Sequence, residues 1–206
     1  MARSTDREAD GHRQLVLATV GTDHHRFDRL VRWVDAWARS AGPGIECFIQ
    51  TGTSRSPEIA SWEAYLSREQ LQDLISRAVA VVCHGGPATI VDCRQAGVKP
   101  IVVPRRRRFD EHVDDHQLLY ARRAAAAGHV ELVETEDRLR TVLDAAVTNP
   151  GAHRIDPTRD TDLAATIRRF AAFADPLLGH TDHKSDPAPA TRSRAASGVF
   201  NRLRAR

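Results

Sequence analysis

The sequence has few of the residues that mark secreted or membrane-spanning proteins. Its 206 residues include three cysteines, one methionine and two tyrosines. No apolar run reaches the roughly 18 residues that a membrane-spanning helix needs. The cysteines show no spacing typical of a disulfide framework or a metal site, and the opening residues have no apolar core typical of a secretory signal. We therefore expect a cytoplasmic protein with reduced cysteines.

Positive charge is concentrated near the end of the chain. The formal net charge is +3, and residues 176–206 alone carry six Lys or Arg against two Asp, which leaves the rest close to neutral. A basic face that binds nucleic acid is therefore not expected. We predict a disordered leader at 1–13, one domain at 14–175 and a basic, disordered tail at 176–206. A solvated tail without function is the preferred interpretation, and association with the anionic inner face of the cell membrane is the alternative.

The body of the chain alternates between apolar runs typical of buried strands and helix-period patterns. This alternation predicts an α/β domain with a parallel sheet. Ser67 followed by Gln70 predicts a capping box at the start of one helix. The predicted strands are 15–20, 45–50, 79–83, 100–104 and 130–133, and the predicted helices cover 27–38, 67–75, 88–96, 114–127, 135–147 and 158–174.

A first polar cluster follows the strand that ends at Cys83. The run His84-Gly85-Gly86 opens into a helix, and bare backbone N–H groups at a helix N-terminus favour phosphate. Thr89 adds a hydroxyl in the first turn, and Asp92 lies one turn deeper on the same face, where a carboxylate suits ribose hydroxyls. The residues alone leave open an ordinary strand-to-helix turn with a solvated Asp92.

A second polar cluster follows the strand that ends at Pro104. Arg105 is adjacent to the strand end, and Glu111, Asp115, His116 and Gln117 lie near the start of the next helix. Because sugar hydroxyls need both donors and acceptors, these side chains suit a sugar. The other arginines of this loop are predicted to be solvated.

A metal site is the alternative for this loop. His112, Asp114, Asp115 and His116 contain metal-ligand atoms, with His24 and His25 as further candidates. Their spacing matches no standard zinc pattern, and carboxylates at a helix start also compensate the helix dipole. We therefore expect no metal.

Gly21 and Thr22 follow the first strand. No second glycine follows in the spacing of a dinucleotide fingerprint, so NAD binding is not expected. A glycine and a threonine at a strand end bring backbone close to phosphate or sugar, although a plain turn explains them equally well.

Together these segments resemble the C-terminal, donor-binding half of GT-B glycosyltransferases of the family 28 type. They are also similar to the soluble subunits of split transferases, namely those of bacterial exopolysaccharide synthesis and of dolichol-linked GlcNAc transfer. The resemblance rests on residues 19–22, 27–31, 50–52 and 84–90, and on Pro104-Arg105, Glu111-His112 and Asp115-His116-Gln117. It implies a single Rossmann-like domain, half of a GT-B fold.

The resemblance also implies a function. UDP-sugar would be the donor, with its pyrophosphate at His84, Gly85, Gly86 and Thr89, its ribose at Asp92 and its sugar at His116 and Gln117. Pro87 departs from the family pattern but is compatible with the first helical position.

The resemblance also implies that the acceptor binds to a second Rossmann-like domain, for which the predicted single domain leaves no room. The implied partner is a membrane-anchored, acceptor-binding subunit that uses a lipid-linked acceptor, and it would supply the catalytic base. The expected activity is inverting hexosyl transfer without a cofactor, active only with the partner. A nucleotide-sugar-binding module without turnover and a metal-dependent hydrolase are the alternatives.

Overall fold

The computed structural model describes residues 13–157, which build one parallel sheet of six strands in the order β3-β2-β1-β4-β5-β6. Every strand pair is parallel, so the predicted α/β fold is confirmed. The strands are β1 (Gln14–Thr19), β2 (Ile45–Gln50), β3 (Ser61–Glu63), β4 (Ala80–Cys83), β5 (Ile101–Val102) and β6 (Glu131–Leu132), and the helices are α1 (Asp28–Ser40), α2 (Arg68–Arg77), α3 (Pro87–Gln95), α4 (His116–Ala126) and α5 (Glu136–Thr148).

The central strand β1 is buried on both faces, as expected for a parallel sheet covered by helices. Val16 and Ala18 point into a core formed with α1 and α5, where Trp37 and Leu143 are buried. Leu15 and Leu17 point to the opposite face, where α2 and α3 pack. The same face continues over β4 and β5, where α4 packs.

Local signals in the sequence place most helix ends correctly. The Ser67 hydroxyl accepts from the Gln70 N–H at 3.2 Å, and the Gln70 amide accepts from the Ser67 N–H, so the predicted capping box is confirmed. The Thr135 hydroxyl accepts from the Arg138 N–H at 3.3 Å and caps α5 through this single hydrogen bond. Each cap satisfies N–H groups that the first helical turn leaves free.

Two elements escape sequence reasoning. Strand β3 is three residues long and pairs only with β2, at the edge of the sheet. A run this short has no detectable alternation. Residues 107–109 form a 3₁₀ turn inside the basic loop, ending at Asp110 with a φ of 58°.

Helix α1 carries two charged residues, Arg29 and Asp35, that the fold covers. Asp35 is buried and accepts from the backbone N–H groups of residues 58, 59 and 60 at 2.9–3.0 Å. Arg29 is also largely covered, with its side chain 10% exposed. Both charges are retained because loops distant in sequence supply their partners.

The predicted leader, the helix at 158–174 and the basic tail lie outside the described residues. Within residues 13–157, no helix combines the length and the apolar character needed to cross a bilayer. Cys47, Cys83 and Cys93 are free and buried, as the sequence predicts for reduced cysteines.

Candidate functional site

The site lies where the strand order of the sheet reverses. From β1 the chain moves to β2 on one side, and from β4 it moves to β5 on the other side. Thr19 and Cys83, the last residues of β1 and β4, are paired in register. In open α/β sheets a ligand crevice forms between two such loops, at the carboxyl ends of the strands. Gly21 and His84 therefore lie at the position where a ligand is expected.

The His84 ring is held between two glycines. A Cβ atom on Gly21 would lie 2.6 Å from His84 Cε1, and one on Gly86 would lie 2.9 Å from the same atom. Gly21 also has a φ of 81°, whereas Gly86 has an ordinary φ of −62°. At Gly86 the contact with His84, and not the backbone conformation, therefore requires glycine.

Burial controls the protonation of His84. Removal of the ring from water, assisted by the positive charge of Arg105, lowers the pKa of His84 to about 4. The imidazole is thus neutral near pH 7 and donates from only one nitrogen. Its Nδ1 atom is buried and has no hydrogen-bond partner within residues 13–157. A polar ligand in the crevice would find His84 neutral.

The N-terminus of α3 adjoins His84. Gly86 is the N-cap, Pro87 occupies the first turn and no side chain caps the helix. Gly85 has a φ of 92°, and a Cβ atom there would lie 3.0 Å from the Val102 side chain. These residues present backbone N–H groups, helped by the helix dipole, which suit an anion.

Thr89 and Asp92 lie on α3 as predicted. Thr89 is half-buried in the first turn of the helix. The Asp92 side chain is 17% exposed, and its Oδ1 lies 3.8 Å from Nη2 of Arg68, which is itself 79% exposed. Because this pair is long and its cation is solvated, the carboxylate stays available to hydroxyl donors.

Gln50 fixes the loop that follows β1, although sequence reasoning assigned it no role beyond the family motif. Its Oε1 accepts from the Thr19 hydroxyl at 2.5 Å and from the Gly21 N–H at 3.2 Å. Its Nε2 donates to the Gly21 carbonyl at 3.0 Å. Its position as a polar residue at the end of a buried strand is the sequence signal that could indicate this role.

Arg105 lies beneath the site and not on its surface. The residue is completely buried, and its guanidinium donates to the carbonyls of Val20, His25 and Glu111 at 2.8–2.9 Å. Its guanidinium carbon lies 4.8 Å from the ring centre of Phe27. In this arrangement Arg105 joins the loops after β1 and β5, and its side chain is not exposed at the surface where direct contact with a ligand was expected.

Glu111 is also occupied by the protein. It is 4% exposed and accepts from Nε and Nη2 of Arg29 at 2.8 Å and 2.7 Å, and from the Arg106 N–H at 3.0 Å. A carboxylate with these donors has little capacity left for sugar hydroxyls. The structure therefore places Glu111 in a buried ion pair that anchors the basic loop to α1.

Histidines and carboxylates alternate across the rim of the site. Asp23 Oδ1 lies 2.7 Å from Nδ1 of His25, and Asp23 Oδ2 lies 3.5 Å from Nε2 of His112. Asp114 Oδ1 lies 3.6 Å from Nδ1 of His112 and hydrogen-bonds Nδ1 of His116. The fold thus joins two segments that are far apart in sequence into one network.

Both carboxylates of this network are stabilised as anions. Burial raises the pKa of Asp23, but hydrogen bonds from His112 and from the backbone and ring of His25 outweigh it and hold the pKa far below its usual range. Burial likewise acts to raise the pKa of Asp114, and hydrogen bonds from His116 reverse the effect. The rim therefore carries fixed negative charge at neutral pH.

The remaining predicted residues flank the N-terminus of α4 or the first loop. Asp115 is exposed and accepts from the Arg107 N–H at 3.0 Å. Gln117 is 7% exposed, and its Oε1 has no hydrogen-bond partner within the described residues. Thr22 is exposed on the loop after β1. Of the second cluster, His116 and Gln117 retain the most capacity to bind a ligand.

Comparisons with known proteins identify the family of this domain. Residues 15–167 match the model of the glycosyltransferase family 28 C-terminal domain. The UDP-N-acetylglucosamine–N-acetylmuramyl-(pentapeptide) pyrophosphoryl-undecaprenol N-acetylglucosamine transferase of Xanthomonas euvesicatoria pv. vesicatoria is 30% identical over 128 residues, which are 59% of this chain and 28% of that protein. The enzyme of the same name from Xylella fastidiosa is 36% identical over 80 residues, which are 36% of this chain and 21% of that protein. The chain thus spans about a quarter of the length of these curated relatives.

Two solved glycosyltransferases share the fold. The glycotransferase of kitacinnamycin superposes with a TM-score of 0.52 at 17% identity, over 86% of this chain and 47% of that one. The calicheamicin glycosyltransferase CalG4 superposes with a TM-score of 0.50 at 14% identity, over 81% of this chain and 43% of that one. A match to somewhat less than half of each chain is what one Rossmann-like half of a GT-B fold would give.

We predict that Gly86→Ala destabilises the protein because its new methyl group meets the His84 ring. Overpacking of this kind costs about 1–3 kcal/mol of unfolding free energy. Chemical denaturation should show this loss, and the double variant His84→Ala/Gly86→Ala should show a smaller increment for the second change. Gly44→Ala is the control, because a Cβ atom there meets nothing within 4 Å. Equal effects at Gly86 and Gly44 would contradict the contact.

We predict that His84 makes the protein sensitive to mild acid. The folded state keeps the ring neutral down to pH about 4, whereas the unfolded chain binds a proton below its ordinary pKa of 6.5. Stability is therefore lost as pH falls from 6.5 towards 4, by up to about 3 kcal/mol from this group. Denaturation at several pH values should show a steeper loss for the wild type than for His84→Gln. Parallel curves would argue against a buried neutral His84.

Proposed function

The chain belongs to the family of glycosyltransferase family 28 C-terminal domains, and we propose that it binds the UDP-sugar donor of an inverting glycosyltransferase. The observation that carries the proposal is the His84 ring held between Gly21 and Gly86, beside the uncapped N-terminus of α3. Glycine at both positions leaves no side chain between this surface and a bulky anion, so the anion can approach the N–H groups at the start of α3. The pyrophosphate is the part of the donor that this surface suits best.

The direction of α3 suggests where the ribose and the sugar of the donor bind. With the pyrophosphate at Gly85, Gly86 and Thr89, a ribose lies over the next turn of the helix, where the Asp92 carboxylate is free to accept from its hydroxyls. The sugar then extends towards α4, where His116 and Gln117 offer a ring nitrogen and an amide. The unpartnered Gln117 Oε1 supports a polar ligand at that end.

This arrangement assigns the chain a defined share of the chemistry. As the bond between sugar and UDP breaks, negative charge develops on the leaving diphosphate, and the N-terminus of α3 stabilises it. Arg105 supports this step by fixing the loops, without touching the donor. The scheme requires no cofactor, and the base that deprotonates the acceptor is supplied from outside residues 13–157.

The acceptor site is proposed to reside on a separate, membrane-anchored subunit. The support is that the proposed donor site occupies the carboxyl edge of the one sheet that residues 13–157 form, and that the printed names of the curated relatives include an undecaprenol-linked acceptor. A lipid-linked or exopolysaccharide acceptor would then be held at the inner face of the cell membrane, with this chain peripheral to it.

We predict that one UDP binds per chain and that Asp92→Ala weakens it about 10-fold or more, because a charge-assisted hydrogen bond to ribose is lost. Calorimetry in EDTA measures both quantities. Asp73→Ala is the matched control, since Asp73 is an exposed helical carboxylate on α2. UMP should bind more weakly than UDP, because it lacks the second phosphate.

The donor site would be refuted if UDP failed to bind the wild-type chain. Equal affinity of the wild type and Asp92→Ala for UDP would show that Asp92 does not bind the ribose. The comparison of UDP with UMP would then test the pyrophosphate assignment separately.

We also predict that transfer requires the partner. Radiolabelled sugar should pass from UDP-sugar to lipid when the purified chain is combined with membranes that contain the acceptor-binding subunit, and neither fraction should act alone. Transfer by the chain alone would contradict the division into subunits. Donor binding without transfer in any combination would favour a binding module without turnover.

A further inference from the structure

Three metal-ligand side chains converge on the segment before α4. His112, Asp114 and His116 each offer one ligand atom, and these atoms lie within 4.8 Å of one another. Asp114 Oδ1 faces Nδ1 of His112 at 3.6 Å and also contacts Nδ1 of His116. The two rings meet edge to face, with centroids 4.7 Å apart. Two imidazoles and one carboxylate form a donor set that suits zinc and its neighbours in the first transition row.

A second carboxylate lies behind this group. The remaining nitrogen of His112, Nε2, is 3.5 Å from Asp23 Oδ2. In metal sites a ligating histidine usually directs its other nitrogen to a carboxylate, which fixes the ring and increases its basicity. Asp23 comes from the loop after β1, so the spacing of residues along the second loop could not reveal this arrangement.

Burial and charge also suit a cation. The side chains of His112, Asp114 and His116 are 11%, 42% and 30% exposed, which shields the ligand atoms but leaves one side open to water. Asp23 and Asp114 place two carboxylates against the His112 ring, one on each nitrogen. A neighbouring group of Asp23, His24 and His25 has similar donors, but its His24 side chain is 85% exposed.

We propose that His112, Asp114 and His116 bind one divalent transition-metal ion, with Zn²⁺ as the preferred metal and Asp23 as the outer carboxylate. Three protein ligands leave a fourth position for water or a ligand oxygen. The ion would tie the loop after β1 to the loop before α4 through His112 and Asp23. It lies at the sugar end of the proposed pocket and shares His116 with it, but the proposal does not depend on UDP binding.

The test is zinc binding by the full chain after removal of metal with EDTA and exchange into chelator-free buffer. Competition with a chromophoric chelator should show one Zn²⁺ per chain. His112→Ala and Asp114→Asn should each weaken binding at least 10-fold. Asp23→Asn should weaken it about 10- to 100-fold with unchanged stoichiometry, as expected for an outer carboxylate. Circular dichroism without metal checks that each variant is folded.

Two histidine variants serve as matched controls. His129→Ala removes a histidine beyond the far end of α4, and His24→Ala removes one from the neighbouring group; both should bind zinc as the wild type does. Absence of stoichiometric binding would overturn the proposal, and so would loss of binding in His24→Ala with binding retained in His112→Ala. UDP calorimetry in EDTA is carried out without metal, so the zinc site and the UDP site are tested independently of each other.

Discussion

The buried guanidinium of Arg105 is the constraint on which the site depends. It donates to the Val20 and His25 carbonyls after β1 and to the Glu111 carbonyl after β5. A buried arginine is costly unless its donors are used, and here backbone carbonyls from two loops accept from both terminal nitrogens of Arg105. The loop after β1 and the loop after β5 are thereby held together beneath the site. The Asp23–His112 contact and the Arg29–Glu111 ion pair strengthen this connection.

The crevice at the ends of β1 and β4 is lined largely by backbone atoms. His84 fills the space that side chains at Gly21 and Gly86 would otherwise occupy, and Gln50 holds both backbone groups of Gly21. Since His84 is neutral near pH 7, the proposed binding of a diphosphate would rely on N–H groups and the dipole of α3 and not on a positive charge of His84. Such a surface can stabilise the charge that develops on a leaving diphosphate without placing a full positive charge beside it, which suits a transferase.

Much of the fold follows from short-range patterns, and the errors follow from long-range contacts. The capping box at Ser67, the limits of β2 and the glycine-rich opening of α3 are local, so the sequence predicts them. From the sequence, Arg105 is a candidate ligand contact because it adjoins a strand end, and Glu111 is one because a carboxylate suits sugar hydroxyls. Their true partners are Arg29, 82 residues away, and carbonyls up to 85 residues away, which no spacing argument can supply.

The proposed function requires that a diphosphate binds at the ends of β1 and β4. Titration of the ¹⁵N-labelled chain with UDP, followed by amide NMR shifts, tests this most directly. We predict that the largest shifts fall on Gly21, Gly85, Gly86 and Thr89, while amides at the opposite edge of the sheet, near the start of β1 and β2, stay unchanged. Shifts confined to residues away from the α3 N-terminus, or no saturable shifts at all, would contradict the account.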